Sequence, residues 1–362
     1  MKKRWMNVLR VAITVAALAF LVLTVDLRKV LGNLGEANLL YLGAAFLLFV
    51  FSLGLRAYRW FVLLQGLDPE VPFGRLLRLY FVGQFFSSFL PSGYGGDVVR
   101  ALELTQDTES SAAIGTVLLD RATGLLVNFA IGLIVLPFVA ARMEPWLVWL
   151  LIVVAGGGLI AGALILEGRL LRRILGWLSA KLSLVRQGRM GKICAAIAGY
   201  AWRVILSILG GRLSRRITAR LSARPSLPGK GALVKVYAAI TGCGWPAVLR
   251  ALGVSVVFNI LNVVINWLCG QALDIGVDLG YFFVVTPLLS VATLVPSIGG
   301  WGIRENVSRA LFAPTGAAED VSAALGASIG LITLASGLVG GVVHGVELLR
   351  GFLRRPPEED AR

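Results

Sequence analysis

Apolar residues run continuously, not in alternation, along most of this 362-residue chain, in stretches bounded by clusters of arginine, glycine and proline. A helix needs about 20 apolar residues to cross a bilayer core of about 30 Å, whereas an outer-membrane strand shows roughly ten-residue alternation. Six segments reach or approach the helical length: Val8 to Val25, Leu39 to Leu55, Ser111 to Ala140, Trp146 to Leu166, Ala251 to Leu273 and Ser322 to Leu349. Each is a predicted transmembrane helix. The first also fits a signal peptide cut near Ala17-Leu18-Ala19, but its apolar run continues through Phe20 to Val25, which favours an uncleaved span.

Two further apolar segments are shorter and end in breaks. Leu76 to Leu90 runs into Pro91-Ser92-Gly93-Tyr94-Gly95-Gly96-Asp97, and Phe282 to Val295 into Pro296-Ser297-Ile298-Gly299-Gly300-Trp301-Gly302. A second short helical stretch follows each break. Backbone interrupted at membrane depth survives only where protein or a water-filled cavity satisfies its polar groups, so both segments are predicted to be re-entrant hairpins, over about 76–107 and 282–312. Pro91, Gly93, Gly95 and Gly96 are the hinge of the first; Pro296, Gly299, Gly300 and Gly302 are the hinge of the second.

Basic residues set the orientation. With Lys2, Lys3 and Arg4 inside, every strongly basic loop falls on the cytoplasmic side, as the positive-inside rule requires. Both termini are then cytoplasmic, and the two hairpins enter from opposite faces. Paired Pro/Gly breaks in corresponding halves point to an inverted repeat with a site near the midplane. The expected fold is an all-α polytopic membrane protein with six full spans plus two oppositely inserted re-entrant helical hairpins. Residues 1–166 form the first membrane half, 167–250 a basic cytoplasmic or interfacial helical insertion, 251–350 the second half and 351–362 a cytoplasmic tail. Ile193 to Leu209, apolar apart from Arg203, is read as interfacial because a further crossing would put the basic C-terminus outside.

Composition agrees with lipid as the solvent: 57% apolar, 15% charged, mean hydropathy +0.80. The net charge of +15 does not indicate nucleic acid, because sixteen Lys or Arg against the single acid Glu167 lie between Glu167 and Arg250. One loop carries the whole excess, which marks a cytoplasmic segment facing anionic lipid headgroups. Cys194, Cys243 and Cys269 have no metal-ligand spacing and His344 is the single histidine, so no metal site, disulfide framework or cofactor is expected.

Charge at membrane depth costs at least about 2.5 kcal/mol per group at a helix centre, so each charged residue there needs a reason. Asp97 and Arg100 follow the first break, Asp120 and Arg121 lie within the third span, and Arg304 and Glu305 follow the second break. Each set holds one acid and one base, and local neutralisation is the plain structural account. The functional account makes Arg100, Arg121 and Arg304 guanidinium forks for phosphate oxygens, beside helix starts whose free N–H groups favour an anion. Asn259, Asn262 and Asn266 share one helical face, as do Gln84 and Ser88; such stripes serve as helix–helix glue or as ligand contacts. Arg56 and Arg59, closing the second span, read as snorkelling to headgroups, and His344 and Glu347 as interfacial.

Four separated motifs carry a resemblance. Arg56-Ala57-Tyr58-Arg59-Trp60, then Leu90-Pro91-Ser92 with Gly95-Gly96-Asp97 and Arg100, then Leu119-Asp120-Arg121 with Gly124, then Pro296-Ser297 with Gly299-Gly300, Gly302 and Arg304-Glu305 occur in an order that resembles the flippase-like membrane domain family. That is the family of the transmembrane region of lysylphosphatidylglycerol synthase. The resemblance implies a bacterial-type inner-membrane protein that moves a lipid between leaflets. It does not extend to a soluble aminoacyl-transferring domain, so lipid lysinylation is not expected.

Three functions follow from these residues: a lipid flippase or transporter, an integral-membrane lipid-modifying enzyme using Asp97 or Asp120 as base, or a membrane partner of lipid-biosynthesis enzymes docked through the basic loop. The enzyme reading is the weaker, since outer loops are short and the histidine peripheral. No nucleotide-binding loop is present, whereas Asp97, Asp120 and Glu305 are each able to carry a coupling proton. Gly156-Gly157-Gly158 and Gly337, Gly340 and Gly341 allow close helix approach, within the chain or in an oligomer.

Overall fold

The structure is a computed structural model that describes residues 27–89, 95–166, 230–295, 297 and 299–353. Every regular element among them is a helix. In chain order these are α1 (Leu27–Glu36), α2 (Leu39–Gln65), α3 (Phe73–Phe89), α4 (Gly95–Leu104), α5 (Ser110–Val139), α6 (Pro145–Leu166), α7 (Lys230–Gly242), α8 (Trp245–Ala272), α9 (Leu279–Ala292), α10 (Ile303–Phe312) and α11 (Glu319–Leu353). Short 3-10 turns close α5 and α10. The helices α2, α5, α6, α8 and α11 are long and apolar enough to cross a membrane. They correspond to the second through sixth predicted spans. The predicted first span, the segment 193–209 and the tail beyond 353 lie outside the described residues.

Lipid as solvent explains how these helices distribute their side chains. Phe138, Leu47, Val153, Ile134 and Trp149 are exposed on the outside, while Ser52, Thr116, Asp120, Thr123, Ser255 and Asn259 are buried between helices. That is the reverse of a soluble bundle. In hydrocarbon, burying apolar surface supplies no driving force, so close backbone approach and interhelical hydrogen bonds hold the bundle.

The second span departs from its predicted end. Apolar residues stop at Leu55, but α2 continues to Gln65 and carries Arg56 and Arg59 inside the helix. Arg59 is buried at 3% exposure and does not reach out to headgroups. It stays inside because an acid on a neighbouring helix receives it.

Helix pairing follows a repeated rule. α2 packs antiparallel on α8: Asn38 N–H donates to the Ala272 carbonyl at one end (2.8 Å), and the Gly66 backbone abuts the Cys243 carbonyl at the other. α3 packs on α11 and α9 on α5, while α4 packs on α5 and α10 on α11. Exchanging α2–α5 with α8–α11 maps this pattern onto itself. Pro91 and Pro296 are 205 positions apart (296 − 91). The same shift carries Asn38 to position 243 and Ala272 back to position 67, so the two end contacts of the α2–α8 pair are counterparts.

Glycines on α11 make the α3 contact. A Cβ at Gly340 collides with the Phe81 carbonyl oxygen, one at Gly337 comes within 2.6 Å of Ser88 Oγ, and one at Gly341 within 2.8 Å of the Phe85 ring. These three glycines therefore serve contacts within the chain, whereas Gly156 and Gly157 on α6 meet nothing within 4 Å. Gly340→Ala is expected to destabilise the protein by about 1–3 kcal/mol through overpacking against backbone. Gly157→Ala is expected to change stability by less than about 1 kcal/mol. Thermal unfolding of both variants in detergent reads the difference, and equal melting of the two rejects the packing account.

Candidate functional site: an arginine-rich cleft

The second break meets the end of α3 inside the bundle. A Cβ at Gly299 would stand 2.9 Å from the Ser88 carbonyl at the end of α3. Gly299, Gly300 and Gly302 have φ of 61°, 80° and 79°, a left-handed backbone that side chains with a Cβ rarely adopt. Two side chains of α10 hold this tip: Arg304 Nη2 donates to the Gly299 carbonyl at 2.8 Å, and Glu305 Oε2 accepts from Gly302 N–H at 2.7 Å. Pro91, Gly93 and Pro296 lie outside the described residues. Gly95 and Gly96 are buried at the start of α4, with Gly96 pressed on the Gly83 carbonyl so that α3 and α4 close on each other.

Around the first hairpin runs a chain of alternating charges. Arg59 Nε donates to Asp120 Oδ1 at 2.7 Å, Tyr80 Oη to Asp120 Oδ2 at 3.0 Å, and Arg100 Nη2 lies 3.5 Å from that same oxygen. Arg100 Nη2 also donates to Asp97 Oδ1, and Arg121 Nε to Asp97 Oδ2, each at 2.5 Å. The order is Arg59, Asp120, Arg100, Asp97, Arg121, drawn from α2, α5 and α4. Of the three expected local pairs, only Asp97 with Arg100 forms. Asp120 pairs with Arg59 and Arg100 instead of Arg121, and no ion pair joins Arg304 to Glu305. Consecutive helical residues point about 100° apart, so each meets a different neighbour.

Glycine makes room for this network. A Cβ at Gly124 would lie 2.6 Å from Arg59 Nη1, and one at Gly83 2.6 Å from the Arg100 stem. Arg100 also stacks over the Tyr80 ring at 4.0 Å and the Trp60 ring at 4.9 Å, and Trp60 Nε1 donates to Thr116 Oγ1 at 3.1 Å.

These groups border a half-open cleft of about 280 Å³ between the first hairpin's helices and the second break. Among the predicted site residues, Asp97, Arg100, Arg121, Arg304, Asn259, Asn262 and Asn266 line it, with Gly299 and Gly300. Asp120 stands just behind, fully buried, and Glu305 faces away from the lining. Asn259 Nδ2 donates to the carbonyls of Gly124 (3.1 Å) and Ser255 (2.8 Å), and Asn266 Nδ2 to Thr286 Oγ1 (3.1 Å). These two act as glue. Asn262, half-buried between them, makes no such bond and faces the cleft. Gln84 and Ser88 contact α11 and are glue as well.

Sequence reading missed Arg56, Arg59 and Tyr80. Arg56 lines the cleft with its guanidinium 4.2 Å over Phe258 and 5.5 Å over Phe49, and its Nε has no hydrogen-bond partner among the described residues. The available signal was spacing: Ser52, Arg56, Arg59 and Leu63 fall on one face of a helix that does not stop at its first charge. With them the site holds five arginines, 56, 59, 100, 121 and 304, against three carboxylates, 97, 120 and 305. Two positive charges remain over. Nη1 of both Arg100 and Arg304 are buried without hydrogen-bond partners among the described residues, so donors remain for an anion.

Outside the cleft, burial pushes the Cys243 thiol up to about 11, which makes it an inert core residue.

No curated protein and no solved structure shows significant similarity to this sequence. The family model of the lysylphosphatidylglycerol synthase TM region, in contrast, matches residues 7–341. Its span takes in both breaks, the charge chain, four of the five apolar helices and most of α11, and this multi-pass membrane protein belongs to that family.

Proposed function

We propose that the protein is a lipid flippase that moves a phosphate-bearing or isoprenoid lipid between the leaflets of a bacterial-type inner membrane. The observation that carries this reading is the cleft with a surplus of two guanidinium charges where the second break meets the end of α3. Asp120 lies ten residues, about 15 Å, into α5, well inside a helix about 45 Å long. A cationic cavity at that depth is costly unless an anion visits it. A lipid phosphate supplies that anion while its chains stay in hydrocarbon, and guanidinium forks match its oxygens two at a time.

The self-mapping pairing of α2–α5 with α8–α11 supports an inverted repeat, since α2 and α8 run antiparallel. On this reading α3–α4 and α9–α10 are half-crossing hairpins inserted from opposite leaflets, the chain has six spans, and its termini are cytoplasmic. Alternating exposure of the cleft on the two sides of this contact between the second break and α3 then transfers the headgroup. An enzyme at this site is disfavoured. Both oxygens of Asp120 and both of Asp97 accept hydrogen bonds from other side chains, which leaves neither free as a general base.

Purified protein in liposomes carrying fluorescent phosphatidylglycerol tests the proposal by dithionite quenching of the outer leaflet. Transfer faster than in empty liposomes is the expected result. Equal rates across phosphatidylglycerol, an aminoacylated lipid and a polyprenyl phosphate, with and without protein, reject it.

A further inference from the structure

The second hairpin carries a buried carboxylate that forms no ion pair among the described residues. Glu305 is 2% exposed; its Oε2 caps Gly302 N–H, and its Oε1 has no hydrogen-bond partner among the described residues. Neighbouring charges are engaged elsewhere. Arg304 turns to the Gly299 carbonyl, Arg309 one turn on pairs with Glu319, and Asp320 accepts from Asn33. From α9, Tyr281 gives its hydroxyl to the Leu311 carbonyl.

On α10 and α11 two hydroxyl oxygens share this lack of partners. Ser308 and Ser322 are both fully buried, and neither Oγ has a hydrogen-bond partner among the described residues. Ser308 lies one turn beyond Glu305 on α10. The helices α10 and α11 run antiparallel with backbones nearly touching: a Cβ at Gly326 would stand 2.7 Å from Glu305 Cα, and one at Gly330 3.1 Å from Arg304 Nη1. Ser322, one turn before Gly326, therefore faces the level of Ser308. This register gathers a carboxylate oxygen and two hydroxyl oxygens at one buried contact, where an unsatisfied group costs about 1–3 kcal/mol and a charged one more.

The repeat shows what such a position accepts. Shifting Glu305 back by 205 gives position 100, and there the first hairpin has Arg100, a fixed cation held by Asp97 and Asp120. At that position the second hairpin has an anion instead, which forms no ion pair among the described residues.

We propose that Glu305, Ser308 and Ser322 form a binding site for a small cation, Na+ or a proton. Na+ takes the three oxygens as ligands, in the way half-helix breaks coordinate coupling ions. A proton on Oε1 turns that oxygen into a donor to a serine oxygen. Either neutralises the carboxylate that caps Gly302, and so loosens the glycine tip that meets Ser88. Occupancy thereby couples the tip contact to a cation gradient, a consequence that rests on the transport reading, whereas the site itself does not.

The test uses full-length protein in detergent, with Na+ alone as one probe and pH alone as the other. A sodium site gives saturable binding of radiolabelled Na+ that K+ does not displace, abolished in Glu305→Gln and weakened roughly tenfold in Ser322→Ala. A proton site gives a titrating carboxyl band in the infrared that Glu305→Gln removes and Ser322→Ala displaces. Wild-type protein with neither signal, or either signal surviving in Glu305→Gln, overturns the site. Glu305→Gln keeps a carbonyl acceptor for Gly302 N–H; if it does not fold, Ser322→Ala decides, an unchanged signal overturning the site. Lipid transfer in liposomes is then measured with imposed Na+ and pH gradients. Cation binding with no lipid transfer at all counts against the flippase reading alone, and transfer indifferent to both gradients overturns the coupling.

Discussion

Asp120→Ala is expected to destabilise the protein by about 3–5 kcal/mol, the loss that follows when one partner of a buried ion pair is removed. Asp120 has 0% exposure, and its carboxylate receives Arg59, Tyr80 and Arg100 from three different helices. Without it Arg59 keeps the Ser255 hydroxyl at 3.1 Å as its remaining hydrogen-bond acceptor, and its charge stays in the bundle. Thermal unfolding in detergent reads the loss. The double replacement Arg59→Met with Asp120→Leu is expected to recover most of it, because removing both charges removes their desolvation cost together with their attraction. A loss below about 1 kcal/mol for Asp120→Ala would mean that the pair behaves as a solvated surface ion pair, and that the cleft is open water.

That pairing could not be read along the chain, and the reason is geometric. Hydropathy locates helices well in a membrane protein, since a bilayer imposes one length on every span, and the five long apolar helices stand where the apolar runs are. Hydropathy is silent about which face of a helix points inward. Asp120 and Arg121 are neighbours in sequence and look like a pair, yet Asp120 turns to α2 and α4 while Arg121 turns to Asp97. The end of α2 was lost for a related reason. Charge lowers the hydropathy of a window whether it faces lipid or protein, so Arg56 and Arg59 read as the edge of the membrane when they are part of its interior.

The breaks were legible because proline and glycine constrain backbone directly. Their matched order in the two halves already implied that the breaks correspond, and the second one, at Gly299, lies against the Ser88 carbonyl at the end of α3. Tyr80 had no signal: a single tyrosine in an apolar run matches a packing residue, and its hydroxyl is meaningful only against Asp120 across the bundle. The asparagine stripe was legible as a stripe, but which asparagine remained for a ligand depended on two others finding protein partners.

The same reasoning ranks the arginines for transport, and Arg56 comes first. It makes no ion pair with any described residue, and cation–π contacts with Phe258 and Phe49 are what hold it in the cleft. Those contacts are worth up to about 2 kcal/mol, so Arg56→Gln is expected to fold with a modest loss of stability. Its effect on transfer should be larger. A hydrogen bond to a charged group contributes about 1.5–3 kcal/mol, which is roughly 10–150-fold in transfer rate if the phosphate is held there at the barrier. Arg56→Lys keeps the charge without the fork and should fall between. Arg121 is 44% exposed at its side chain and already bound by Asp97, so Arg121→Ala should slow transfer only about threefold. Liposome transfer rates alongside detergent melting curves separate the two roles. If Arg121→Ala slows transfer more than Arg56→Gln does, or if Arg56→Gln loses transfer only in proportion to its melting, Arg56 is a packing residue and the anion is held elsewhere.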